Sequence, residues 1–218
     1  MTPILMPADL GSATLARWMQ ALVALDADGW PLVLLEAADP ADPLDALSLA
    51  AYLAPRTRQI GLGVTVDALG VEPFTLARGL ATLDHLSGGR AAWRLVGSDD
   101  AGRLAEHAAV TAALLTSWDR DALACDREAG LFSRSEAVRP IHHKGPHYSV
   151  RGPLNIPQPP QGVPPRLALP GDVAAAGADL LADAASLHRP TLVEAGRLAP
   201  PPAYRAGQRL RDRLEMTK

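Results

Sequence analysis

The sequence contains a single cysteine, Cys125. With no second thiol there can be no disulfide framework and no cysteine-built zinc site, and such usage fits a reducing compartment. Aromatic residues are scarce, at 4% of the chain, so any planar ligand must be held by aliphatic walls and polar edges. Neither sign of charge is in excess. The 21 basic and 24 acidic side chains leave a formal net charge of -3, which gives no basic field for a polyanion and argues against nucleic acid as a partner. Long apolar runs are also missing, each being broken by Asp, Pro or Arg short of the roughly 18 residues that span a bilayer. The N-terminal MTPILMPADLG has no basic stretch before its apolar patch. The expectation is a cytoplasmic protein with no membrane partner. No G-x-S-x-G elbow, Walker sequence, H-E-x-x-H or dinucleotide G-x-G-x-x-G occurs, and the G-L-G at Gly61 to Gly63 falls inside a strand.

What is present is apolar content of 48% in a chain of 218 residues, enough to bury a sizeable core in a single domain spanning residues 1–218. The most informative stretch runs over residues 59–93. Its first part is β-branched and Gly-punctuated; Phe74, Leu76, Ala77, Leu80, Ala81, Leu83 and Leu86 then recur at helical spacing, and Gly88-Gly89 ends the helix. This reads as strand, helix, strand, the repeat of a parallel sheet.

Around it, residues 4–7 read as a short strand and Ser12 as the N-cap of a helix over 13–25. Residues 32–35 form an apolar run of the kind buried on both faces of a sheet, followed by a helix over 43–53. After a strand at 91–96, a helix is expected over 103–118. Periodicity then disappears from 119 to 165, where prolines accumulate in an excursion too long for an ordinary connection. A strand at 166–169, an Ala-rich helix over 173–181, a weak strand at 184–187, one more helix and a surface tail at about 199–218 complete the order.

The IGLG strand, the EPFTLAR helix start and ATLDHLSGGRAAW resemble the bacterial-luciferase-like, flavin-dependent monooxygenases. The block SWDRDALACDREAGLFSRSEAVRPIHHKGPHYSVRGPLNIPQPPQGVP is similar to the long insertion of the branch that oxidises nitrilotriacetate and dibenzothiophene sulfone. The resemblance implies an α/β fold of the (β/α)₈ type, here with about six parallel strands where eight are needed, hence an incomplete barrel that has lost its C-terminal quarter. It also implies reduced FMN supplied by a separate flavin reductase, and one oxygen atom of O₂ inserted into a small organic substrate. Open barrel edges lead to the expectation of a homodimer.

Transferred residue by residue, the resemblance places cofactor contacts at the strand ends on Asp67, Arg94 and Ser98, and at the turn Gly171-Asp172. The family's acidic residue at the second strand falls on Ala37, with Glu36 and Asp39 nearby and read chiefly as solvated loop carboxylates. Its small hydroxyl residues fall on Asp67 and Ala68, and its Asn falls on Arg94. Asp67 and Arg94 could instead pair with each other and fill the pocket. Where the family carries a phosphate-binding Gly-Ser-Ser turn, Asp172 reads as a helix cap whose charge opposes a phosphate, at a cost of about 4 kcal/mol per unit charge at 4 Å and an effective dielectric of 20. His147, Tyr148 and Arg151 are the implied substrate contacts at the barrel mouth, with hydrogen bonding that pins the excursion as the competing role. The spacing of His142, His143 and His147 does not suit a metal. Asp84 and Arg90 sit at the opposite end, where Asp84 caps the helix or pairs with Arg90. The competing reading of the whole is a non-catalytic barrel remnant that binds flavin weakly or a partner chain.

Overall fold

In the computed structural model the described residues are 4–5, 15–36, 45–173, 177–181 and 187–188. Alternating strands and helices come first: β1 (Ile4–Leu5), α1 (Leu15–Ala27), β2 (Leu32–Leu35), α2 (Ala46–Leu53), β3 (Gly61–Asp67), α3 (Pro73–Ser87), β4 (Ala91–Val96) and α4 (Ala101–Leu115). Four short strands follow, β5 (Leu123–Asp126), β6 (Leu131–Ser133), β7 (His143–Lys144) and β8 (Ser149–Val150). The last three are β9 (Arg166–Ala168), β10 (Leu180–Leu181) and β11 (Leu187–His188).

Seven of these strands form one parallel sheet in the order β10-β9-β4-β3-β2-β1-β11. Both of its faces are covered at the centre, which is why all four residues of β2 are apolar and buried. At Gly63 of β3 a Cβ would come within 3.1 Å of Leu34 Cδ1 and 3.2 Å of the Val33 carbonyl oxygen, so close strand packing there needs glycine.

The helices begin and end where their side chains dictate. Asp45 accepts from Ser48 N at 2.8 Å to cap α2, and Asp100 accepts from the amides of Gly102 and Arg103 to cap α4. Helix α3 starts with Pro73 at its first turn and stops at Gly88, which takes the left-handed conformation with φ of 67°. Its apolar stripe of Leu76, Ala77, Leu80, Ala81 and Leu83 is fully buried against the sheet. Ser12, Ala37, Asp39 and the tail at 199–218 lie outside the described residues, as does the helix expected beyond 190.

The step from β4 to its sheet neighbour β9 crosses α4 and then the excursion, which carries two antiparallel pairs, β5-β6 and β7-β8. Trp93 donates from Nε1 to the Pro164 carbonyl at 3.0 Å and Trp118 to that of Leu154 at 2.7 Å, so two indoles fasten the excursion to the sheet and to α4.

One sequence expectation is overturned beyond β9. The Ala-rich stretch was expected as a helix through 181, but residues 177–179 are not helical and Leu180–Leu181 extends the sheet, Leu180 standing opposite Leu167. Pairing with the free edge of β9 satisfies backbone groups and overrides alanine's helical preference.

Candidate functional site at the carboxyl ends of the strands

Parallel register brings the carboxyl ends of β2, β3, β4 and β9 to one rim of the sheet, Thr65 standing opposite Arg94 and Arg94 opposite Leu167. A cleft of about 260 Å³ opens there between the ends of β4 and β9 and the first turn of α4. Its walls are aliphatic, from Leu95, Leu104 and Val173, and its polar edge is Ser98, Asp99 and Asp172. Gly97 and Gly171 supply backbone with φ of 95° and 90°. Three of the five residues assigned to a cofactor from sequence, Ser98, Gly171 and Asp172, therefore share one cleft.

Arg94 lies behind this rim and is engaged on two sides. Its Nε meets Asp172 Oδ2 at 2.8 Å, its Nη2 meets Asp172 Oδ1 at 2.5 Å, and its Nη1 donates to Glu36 Oε1. Glu36 accepts in addition from the Thr65 hydroxyl at 3.0 Å. Burial works against the charge on Arg94, but the two carboxylates outweigh it and raise the pKa. Burial alone would raise the Asp172 carboxyl; hydrogen bonds from Arg94 and from the Leu169 amide outweigh it and hold the group below the usual carboxylate range.

Two expectations are corrected by this geometry. Arg94 pairs with Asp172 and Glu36 rather than with Asp67, because the strand-end turn sends Asp67 the other way: its Oδ1 accepts from Leu69 N at 2.8 Å and lies against Gly97. Asp172 does not act as a helix cap, since its carboxylate folds back onto Leu169 N and Arg94. Glu36 is drawn in as well, an ion-pair and hydrogen-bond partner rather than a solvated loop carboxylate.

The substrate-contact candidates sit on the far side of α4. Glu106 collects three donors from the excursion, the ring of His143 at 2.8 Å and the amides of His147 and Tyr148, both at 3.0 Å. Partial burial would raise the Glu106 carboxyl, and these donors outweigh it and lower the pKa. The His147 ring lies 3.7 Å from Asp100, the cap of α4, so the strand pair β7-β8 is tied to the helix that borders the cleft. Tyr148 is buried edge-on to His107 with ring centroids 5.3 Å apart, and among the described residues its hydroxyl meets no hydrogen-bond partner. Arg151 projects an exposed side chain and anchors through its backbone carbonyl, which accepts from the amides of Ile141 and His142.

Sequence reasoning missed Glu106 and His107. His107 is fully buried, with Nε2 2.8 Å from the Val71 carbonyl, so that nitrogen carries the proton; burial lowers its pKa. At the opposite end of the sheet Asp84 is fully buried and accepts from Ala91 N and from both the amide and the side chain of Gln161. Its role there is to join α3, β4 and the excursion.

The model of the luciferase-like monooxygenase family matches residues 6–216. One of the two proteins that make up the pristinamycin IIA synthase of Streptomyces pristinaespiralis is 38% identical over 188 residues, which cover 82% of this chain and 68% of that one. Nitrilotriacetate monooxygenase component A of Aminobacter aminovorans is 38% identical over 148 residues, 60% of this chain and 33% of that protein, so the chain meets only a third of that relative's length. Among solved structures, long-chain alkane monooxygenase aligns with a TM-score of 0.74 at 20% identity, covering 84% of this chain and 56% of that one. DmoA from Hyphomicrobium sulfonivorans aligns at 0.69 and 22% identity, with 84% and 52% covered. At such identities the structural likeness speaks for the fold, a TIM-type α/β architecture with a parallel sheet. The family model and the pristinamycin relative decide the ancestry: the chain belongs to the luciferase-like monooxygenase family.

Proposed function

We propose that this chain is the oxygenase of a two-component, flavin-dependent monooxygenase, taking reduced FMN from a separate flavin reductase and acting on a small organic substrate. The observation that carries this reading is the cleft at the carboxyl ends of β4 and β9, the end of a TIM-type sheet where reactive groups gather, in a chain of this family. Its aliphatic walls and the Ser98 edge suit a flat ring with polar margins. When bound, reduced flavin supplies the electrons for O₂, and the residues here would orient it and keep water away. The FMN phosphate fits less well, because none of the described residues lining the cleft is basic and Asp172 holds Arg94. On the substrate side the buried Tyr148 hydroxyl is the polar atom placed to accept a ligand's hydrogen bond, with His147 and Arg151 beside it.

In this reading residues 1–218 form one domain, 119–165 an insertion over the mouth and about 199–218 a tail. The barrel is incomplete: its sheet ends at β10 and β11, and a second copy of the chain covers these edges in a homodimer. Neither nucleic acid nor membrane is a partner, and the protein is cytoplasmic. Titration of oxidised and reduced FMN, followed by oxygen uptake with an added reductase, tests the proposal. Submillimolar affinity for neither form would end it. A monomer in sedimentation would count against the dimer.

A second reading, a non-catalytic barrel that binds flavin weakly or a partner chain, is favoured by one observation. The strand-end residues Glu36, Arg94 and Asp172 satisfy one another and leave the rim without a free cation at that position. Flavin binding without flavin-dependent oxygen uptake is the result that selects it.

A further inference from the structure

We infer that this cleft selects against phosphate and takes a flavin in its unphosphorylated form, riboflavin rather than FMN. The inference rests on the flavin reading above and departs from it at the phosphate. Four features of the rim carry it. Asp99 and Asp172 both line the cleft, and no lysine, arginine or histidine does among the described residues. Asp172 stands between the cleft and Arg94, using both oxygens on the guanidinium fork that would otherwise meet a phosphate. Glu36 takes the remaining Nη1 edge, so one arginine serves two carboxylates and the group keeps a net negative charge. The volume, about 260 Å³, is at the small end for organic ligands and suits one ring system.

An anion entering in any orientation therefore meets carboxylates first and finds the adjacent guanidinium already occupied. A neutral, hydroxylated ligand meets the Ser98 hydroxyl and aliphatic walls with no such opposition. Asp172→Ser removes one negative charge and releases both Nε and Nη2 of Arg94 toward the cleft, converting the same rim into a phosphate seat. The wild type needs no substitution to be tested, because like-charge opposition is screened by salt.

The experiment titrates riboflavin and FMN into the full chain by flavin fluorescence, at low and high ionic strength, for wild type and Asp172→Ser. The wild type is expected to bind riboflavin at least about tenfold more tightly than FMN at low salt, with the ratio shrinking as salt rises. Asp172→Ser is expected to move the ratio at least about tenfold toward FMN. Wild-type affinity for FMN equal to or above that for riboflavin overturns the inference and leaves the flavin reading standing. Binding of neither ligand by either protein overturns the flavin reading itself, and this inference with it.

Discussion

Arg94 reaches across the β4-β9 pair to hold Asp172 with both sides of its fork, at 2.8 and 2.5 Å. Because the Asp172 carboxyl is held below its ordinary value, the unfolded chain binds that proton more readily than the folded one. The pairing contributes in full above about pH 3.9 and is lost as pH falls through the folded value. Chemical denaturation across the acid range should show the gap between wild type and Asp172→Asn closing below that point. Arg94→Met leaves Glu36 and Asp172 without their shared partner and should cost about 1–3 kcal/mol at neutral pH, between the exposed and buried limits for an ion pair. A neutral effect of Arg94→Met would show that the rim carries no net pairing energy.

Asp84 has the opposite sign. Burial outweighs its hydrogen bonds and raises its pKa, so its contribution is largest below the unfolded value and is lost as pH rises through the folded one. Asp84→Ala abandons three buried donors, from Ala91 and Gln161, and should destabilise by about 3 kcal/mol or more. Asp84→Asn should remove the pH slope while keeping part of the bonding. An unchanged slope in the Asn variant would place the titrating group elsewhere.

The sheet and its helices were legible because their signals are local. Leu32 to Leu35 are apolar on both faces, Gly88 ends α3, and the parallel register that gathers Arg94, Ser98 and Asp172 follows from strand order. Their partners were not legible. Arg94 could be placed at a strand end, but which carboxylate it met depended on the backward turn at 169–172 and on Asp67 being claimed by Leu69. Glu106 looked like one more polar residue on a helix, since its donors lie in an excursion with no periodicity to anchor it. Alanines around residue 175 suggested a helix, and the demand of the β9 edge decided otherwise for Leu180–Leu181.

Glu106 is the position where the excursion should be easiest to detach. Its three bonds hold the turn between β7 and β8, so Glu106→Ala should speed amide exchange at His147 and Tyr148 by roughly tenfold or more while β3 and β4 stay protected. The same turn in the wild type should loosen in acid, because a carboxyl with a lowered pKa gives up its contribution as pH falls through the folded value, below about pH 4.3. Hydrogen exchange read by mass spectrometry separates the two behaviours. Equal protection in variant and wild type would mean the excursion is fixed by Trp93, Trp118 and Gln161 alone.

Gly97 offers a test of rim geometry that is independent of charge. Its φ of 95° is costly for any residue with a side chain, and a Cβ there would stand 1.8 Å from Asp67 Oδ1 and 3.3 Å from Ala68 N. Gly97→Ala should therefore cost about 1–3 kcal/mol, through backbone strain and through displacement of Asp67 from the Leu69 amide. The two causes separate in a double-mutant cycle. Asp67→Ala on the Gly97→Ala background removes the clash and leaves the strain, so the pair should be less destabilised than the sum of the single variants. Strict additivity would show that Asp67 swings aside freely, and that the Gly97 backbone angle alone shapes this side of the cleft.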